Sequence, residues 1–216
     1  DSDSHFIRAE YVVARWLVVS PFVYLLEFDE SPANSNNSFG VRLTGTAPLG
    51  ADDEAGPAFV YEATYAHQRD HGSNPVDYDA DFFAVQAGLA DEGVGRIGAG
   101  YQFLGSDDGD IGFRFPLGTN HKFNGWADLF LTTPDEGLQD AYVYGGLDLP
   151  GDAEVGVVFH EFWLDEGGDN IGHEVDAFYR KRIGRNWTML AQVAWFDGLG
   201  RFRDTVKAWL QTTYSF

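Results

Sequence analysis

The sequence predicts an all-β protein, an antiparallel transmembrane β-barrel, and three observations carry the prediction. The first is a repeated grammar in which apolar and polar residues alternate over short segments, each closed by a break rich in Gly, Asp, Asn or Pro. Eleven such segments can be read along the chain, so eleven to twelve strands are expected. The second is the length of the connections, because tight turns (ADEG, LPGD, RIGRN) alternate with longer, mostly acidic stretches (NSNN, QRDHGSNPVDYD, LDEGGDN, FDGLGRFRD). That is the pattern of short periplasmic turns and long extracellular loops. The third is the absence of any apolar run near the roughly 18 to 20 residues that a membrane helix needs, in a chain of 216 residues that is 16% aromatic. A mean hydropathy of −0.26 would pass for that of a soluble protein, but barrels spread their apolar residues over alternate positions and escape such a test.

Taken in order, His5 to Val13 sets Ile7, Ala9, Tyr11 and Val13 against Arg8 and Glu10. Pro21 to Asp29 sets Phe22, Tyr24, Leu26 and Phe28 against Val23, Leu25 and Glu27, and SPANSNN then breaks the chain. Phe39, Val41 and Leu43 oppose Arg42 and Thr44, and Phe59, Tyr61, Ala63 and Tyr65 oppose Glu62, Thr64 and Gln68. Phe83 to Leu89 and Ile97 to Phe103 form a hairpin about Asp91 to Gly93, with Arg96 and Gln102 on the polar side. From Asp140 to Leu149, Asp140, Tyr142, Tyr144 and Asp148 share one face. Val155, Val157 and Phe159 oppose Glu154 and His160; Val175, Ala177 and Tyr179 oppose Glu174, Asp176, Arg180 and Arg182. Trp187 to Trp195 and Val206 to Phe216 close the series, with Lys207 on the polar side of the last. Trp187, Trp195, Tyr214 and Phe216 fall where aromatic girdles meet membrane interfaces.

Residues 105–139 break the grammar and are expected to form a long extracellular loop. Phe123, Trp126 and Phe130 sit three and four apart, which predicts a short helix that Pro134 stops. Their apolar face needs cover, and in a barrel the nearest cover is the lumen. The loop is therefore expected to constrict the pore, with His121 and Lys122 toward the solute and Asp128 on the opposite side of the helix.

Several blocks resemble the alginate-export-like family of outer-membrane barrels: YLLEFDES, AHQRDHGSNPVDYDADFF, GYQFLGSD, HKFNGWAD with FLTTP and GLQD, FHEFWLDEGGDN with GHEVD, and DTVKAWLQTTYSF. The resemblance covers most of the chain and lies with the carboxy-terminal half of proteins about twice as long, which implies strands belonging to a larger barrel. It also implies a bacterial outer-membrane location, contact with lipid, lipopolysaccharide and the outer-membrane assembly machinery, and a polysaccharide or uronate as solute.

The polar faces suggest what such a barrel would handle. Arg8, Arg42, Arg96, Arg180, Arg182 and Lys207 are expected to line the lumen, interleaved with Glu10, Glu27, Glu62, Asp140, Asp148, Glu154, Glu174 and Asp176. These are read either as cross-strand ion pairs or as an arginine ladder for an anionic solute. Catalysis is not expected. The carboxylates follow from alternation alone, and there is no Gly-x-Ser-x-Gly and no Cys; His67 and His71 read as solvated loop residues. A net charge of −20 argues against nucleic acid as a partner. No cofactor is required, although Asp107, Asp108 and Asp110, and Asp165, Glu166 and Asp169, offer clustered hard oxygens for Ca²⁺ or for divalent bridges to lipopolysaccharide. The function expected is a passive channel for a hydrophilic, anionic solute such as a uronate, oligosaccharide or carboxylate. The alternative is a non-conducting barrel that docks a partner.

Overall fold

The computed structural model describes residues 2–50, 56–118 and 121–216. Its strands are β1 (Ser2–Arg8), β2 (Tyr11–Ala14), β3 (Leu17–Phe28), β4 (Asn36–Pro48), β5 (Ala58–Asp70), β6 (Asp79–Asp91), β7 (Gly95–Leu104), β8 (Ser106–Asp107), β9 (Ile111–Gly112), β10 (Leu138–Leu149), β11 (Ala153–Trp163), β12 (Asn170–Ile183), β13 (Trp187–Gly198) and β14 (Thr205–Tyr214). Twelve form one antiparallel sheet in the order β1, β3, β4, β5, β6, β7, β10, β11, β12, β13, β14, with β2 beside β3. The pair β8–β9 stands apart. No helix among the described residues is long and apolar enough to cross a membrane, which says nothing about strands.

The sheet follows the alternation closely, with one break at its start. The segment expected as one strand from His5 to Val13 is two, β1 and β2, both paired with β3. Pro21 explains the interruption. Ala9 donates its N–H to the Pro21 carbonyl at 3.1 Å, but proline has no N–H to return, so the ladder lapses and resumes at Tyr11 opposite Val19.

One face of the sheet is bare, and the other is packed under residues 105–137. The bare face is apolar from edge to edge: Ile97, Val143, Val157, Trp195, Val206 and Leu210 are all more than half exposed. A soluble protein does not leave so continuous an apolar surface in water. The loop face holds the buried residues. Near the long loops Leu104, Phe113, Phe130, Leu138, Phe162, Ile171 and Phe196 form a hydrophobic cluster, joined at its margin by Phe202. Towards the short turns, glycines leave room for rings, and Gly98 and Gly100 lie directly under Tyr144 and Tyr142, where a Cβ would strike the rings.

In β3 the face assignment changes. Leu26 is buried on the loop face, opposite the buried Asn36, so Glu27 falls on the bare side with Val23 and Leu25 instead of inward. Both faces of β3 are apolar there, and alternation alone does not say which one turns inward.

Candidate functional site

The distinctive site is the docking of the long loop onto the sheet. It leaves β7 through the turn of β8–β9, where Asp108 and Gly109 take φ of 50° and 82°. Gln68 of β5, 1% exposed, then grips the Arg114 peptide from both sides. Its Oε1 accepts the Arg114 N–H at 2.8 Å, and its Nε2 donates to the Arg114 carbonyl at 2.9 Å. The same Oε1 accepts from the Tyr78 hydroxyl at 3.1 Å. Tyr78 lies just before β6, and burial pushes its phenol up to about 12.

Further along, the loop turns where a helix was expected. Asn124, Gly125 and Asp128 have φ of 56°, 82° and 55°, a left-handed geometry that an α-helix cannot contain. Asn-Gly is a turn signal, and at these two residues it prevails over the helical spacing of the aromatics.

That turn presents donors to three carboxylates in the wall. Asn124 donates its side-chain amide to Asp140 Oδ2 and to Gln102 Oε1, both at 3.2 Å. The Trp126 N–H reaches Asp176 Oδ2 at 3.2 Å and the Ala127 N–H reaches Glu174 Oε1 at 2.7 Å. Asp140, Glu174 and Asp176 are fully buried. His160 closes the group, with Nδ1 2.8 Å from Asp140 Oδ1 and Nε2 3.7 Å from Asp176 Oδ2. The three acids expected to line a pore therefore hold the loop to the wall. Gly125 makes this approach possible, because a Cβ there would come within 2.6 Å of the Glu174 carboxylate.

The loop's aromatics divide. Phe130 is buried against Phe162, Phe196 and Phe202, and Trp126 is 6.0 Å from the Phe178 ring. Phe123 is half exposed, with the Lys122 ammonium 5.5 Å from its ring centre. His121 and Asp128 are together, Nδ1 to Oδ1 at 2.6 Å, not on opposite sides. Lys207 Nζ is 3.4 Å from Asp128 Oδ2, and the Trp209 ring is 5.0 Å from that of His121.

Among the remaining wall cations, pairing dominates. Arg42 makes a two-pronged contact with Glu62, both distances 2.7 Å. Glu154 is shared by Arg96 at 2.9 Å and Arg180 at 2.8 Å, so that trio keeps one net positive charge. Arg8 lies 3.6 Å from Glu10. Arg182 forms no ion pair among the described residues.

The antiparallel sheet can be compared with solved structures. It superposes on the outer membrane protein OprD from Pseudomonas aeruginosa with a TM-score of 0.73 over 98% of this chain, at 14% sequence identity. The fold is that of an outer-membrane β-barrel wall. Acinetobacter baumannii OccAB3 (TM-score 0.72, 12% identity, 99% of this chain) and Pseudomonas aeruginosa OccK7 (0.67, 16%, 98%) match in the same way. The chain covers 58%, 55% and 54% of these three proteins, so it spans a little over half the length of each. No protein-family profile and no curated protein sequence matches the chain. The structures it resembles are OprD- and Occ-type outer-membrane proteins, not alginate exporters, so the alginate-export resemblance holds only at the level of an outer-membrane barrel.

At the barrel's loop end the acidic stretches do not gather into a metal cage. Among the described residues no group of three or more His, Asp or Glu is placed to hold an ion, which covers Asp107, Asp108, Asp110, Asp165, Glu166 and Asp169. Asp165 instead accepts the Ser106 N–H at 3.3 Å, tying the 164–169 loop to the start of the long one. His67 is not a solvated loop residue. It lies in β5 on the bare side of the wall, 2.8 Å from Asp81 and 3.0 Å from Arg69 Nε. Sequence reasoning missed Gln68, Gln102, Asn124, Gly125 and Trp209. Of these, only Asn124-Gly125 carried a local signal.

Proposed function

We propose that the chain forms the greater part of the wall of a bacterial outer-membrane channel, porin-like and without catalytic activity, through which a hydrophilic anionic solute passes by diffusion. The observation that carries this reading is the division of one sheet into a bare face that is apolar across every strand and an opposite face that carries the buried carboxylates and the paired arginines, with a loop bonded across it. A membrane explains the first, and a restricted aqueous path explains the second. The OprD- and Occ-type neighbours support it. An anion is favoured by the Arg96, Glu154 and Arg180 trio with its surplus positive charge, by the unpaired Arg182, and by Lys122 on the loop. A uronate or a small carboxylate has the matching charge. In this reading Arg8, Arg42 and Lys207 also face the lumen, and the acidic outer loops meet lipopolysaccharide through divalent ions.

The test is conductance in planar bilayers, with reversal potentials measured across a salt gradient. Anion preference that falls when Arg180 and Arg182 are both replaced by Gln supports the proposal. The second reading, a barrel without a conducting path, draws on the same loop bonded so firmly to the wall. Silent bilayers containing folded protein would establish it.

A further inference from the structure

Positive charge is scarce in this chain, and half of it is matched by a carboxylate in contact. It has 14 Lys and Arg against 34 Asp and Glu, and Arg8, Arg42, Arg96, Arg114, Arg180, Arg201 and Lys207 each sit within 4 Å of a carboxylate. Of the cations without such a contact, Lys181, Arg182 and Arg185 stand out because they fall within five residues of one another; they form no ion pair among the described residues. They occupy the end of β12 and the turn into β13, at the short-turn end of the sheet.

The surroundings of that turn are membrane-facing. Lys181 alternates with Tyr179 and Ile183 on the bare side, and Ile183 stands opposite Trp187. The Trp187 and Tyr214 rings meet at a tilt with centres 5.0 Å apart, and Phe216 continues the row 6.4 Å beyond Tyr214. Ile183, Trp187 and Tyr214 are each about half exposed. The turn is held in place, because Ser215 donates its N–H to the Asn186 carbonyl at 2.9 Å and the Asn186 amide returns a bond to the Ser215 carbonyl at 2.5 Å. Arg185 thus projects from a fixed turn beside an aromatic belt, the depth at which phosphates of a lipid leaflet lie. On the neighbouring turn the Asp152 carbonyl accepts the Arg182 N–H at 3.0 Å, while its carboxylate forms no ion pair with any of the three cations.

We infer that Lys181 and Arg185, with the Trp187 and Tyr214 rings, form a binding site for the phosphate of an anionic phospholipid in the leaflet that meets the short turns. The cations supply charge complementarity and flexible stems that reach the headgroup level; the rings pack against the glycerol and upper acyl region. Arg182 points to the other side of the strand and serves the lumen rim. The inference needs only a membrane-facing sheet and stands whether or not the barrel conducts.

The experiment uses the full chain in vesicles containing brominated phosphatidylglycerol or brominated phosphatidylcholine. The quenching due to Trp187 is the difference between the unaltered chain and Trp187→Phe. A preference for phosphatidylglycerol of roughly fivefold is expected, the equivalent of one effective cation at the surface. It should drop to near unity in the Lys181→Gln/Arg185→Gln variant and persist in Arg182→Gln. Arg185→Gln alone, at an exposed turn position, gives the same direction if the double variant folds poorly. Equal quenching by both lipids, or a preference that survives the double substitution, would overturn the site. Stronger protection of Trp187 by lipid A than by phosphatidylglycerol would overturn the choice of phospholipid.

Discussion

Gln192 and Val193 are neighbours in β13 with opposite surroundings: Val193 is 43% exposed on the bare face, and Gln192 turns toward the loop face. Val193→Arg should cost about 2–4 kcal/mol of folding stability in a bilayer, the penalty for a cation on the lipid side. Gln192→Arg should be close to neutral, and urea titration of refolded protein compares the two. At the loop end, Glu136 and Arg201 form a two-pronged pair at 2.6 and 2.7 Å, and the guanidinium holds the Glu136 carboxyl below its usual range. The group's pKa is lowered on folding, so its stabilisation is complete above the ordinary glutamate range and fades as pH falls through the lowered value. The pair is exposed, so salt screening limits it to less than about 1 kcal/mol. Glu136→Gln should therefore weaken loop protection in hydrogen exchange at neutral pH, and the difference from the unaltered chain should vanish in acid.

At the scale of elements, the strands were legible because alternation is a local signal with a fixed period. Trp187, Met189, Val193 and Trp195 fall on the bare side of β13 as their spacing implied. The loop was less legible, since its conformation depends on partners distant in the chain. Nothing near Gln68 announces that it will hold the Arg114 peptide, 46 residues away. The aromatic spacing of Phe123, Trp126 and Phe130 suggested a helix because packing and helical period leave the same mark. Gly125 is the residue on which the docking turns. Gly125→Ala should cost about 1–3 kcal/mol through the left-handed backbone and the displaced Glu174 carboxylate, with faster amide exchange at Trp126 and Ala127. Under the channel reading, removing residues 121–132 should leave a folded sheet with higher single-channel conductance and poorer solute discrimination. Unchanged conductance per open channel would place the loop outside the path.

At the scale of the whole molecule, β3 onward pairs almost entirely with its neighbours in the chain, and the long-range bonds are concentrated where the loop meets the wall. This ordering has a kinetic consequence. Adjacent hairpins close short connections at small entropic cost, whereas docking residues 124–127 against Glu174 and Asp176 must await strands that lie some fifty residues further on. Refolding into micelles should therefore show strand formation in far-ultraviolet circular dichroism before the change in tryptophan emission that reports Trp126 settling beside Phe178. Glu174→Ala should remove or blunt the later event and leave the earlier one unchanged. If the two signals rise together in the unaltered chain, the wall and its loop assemble in a single step.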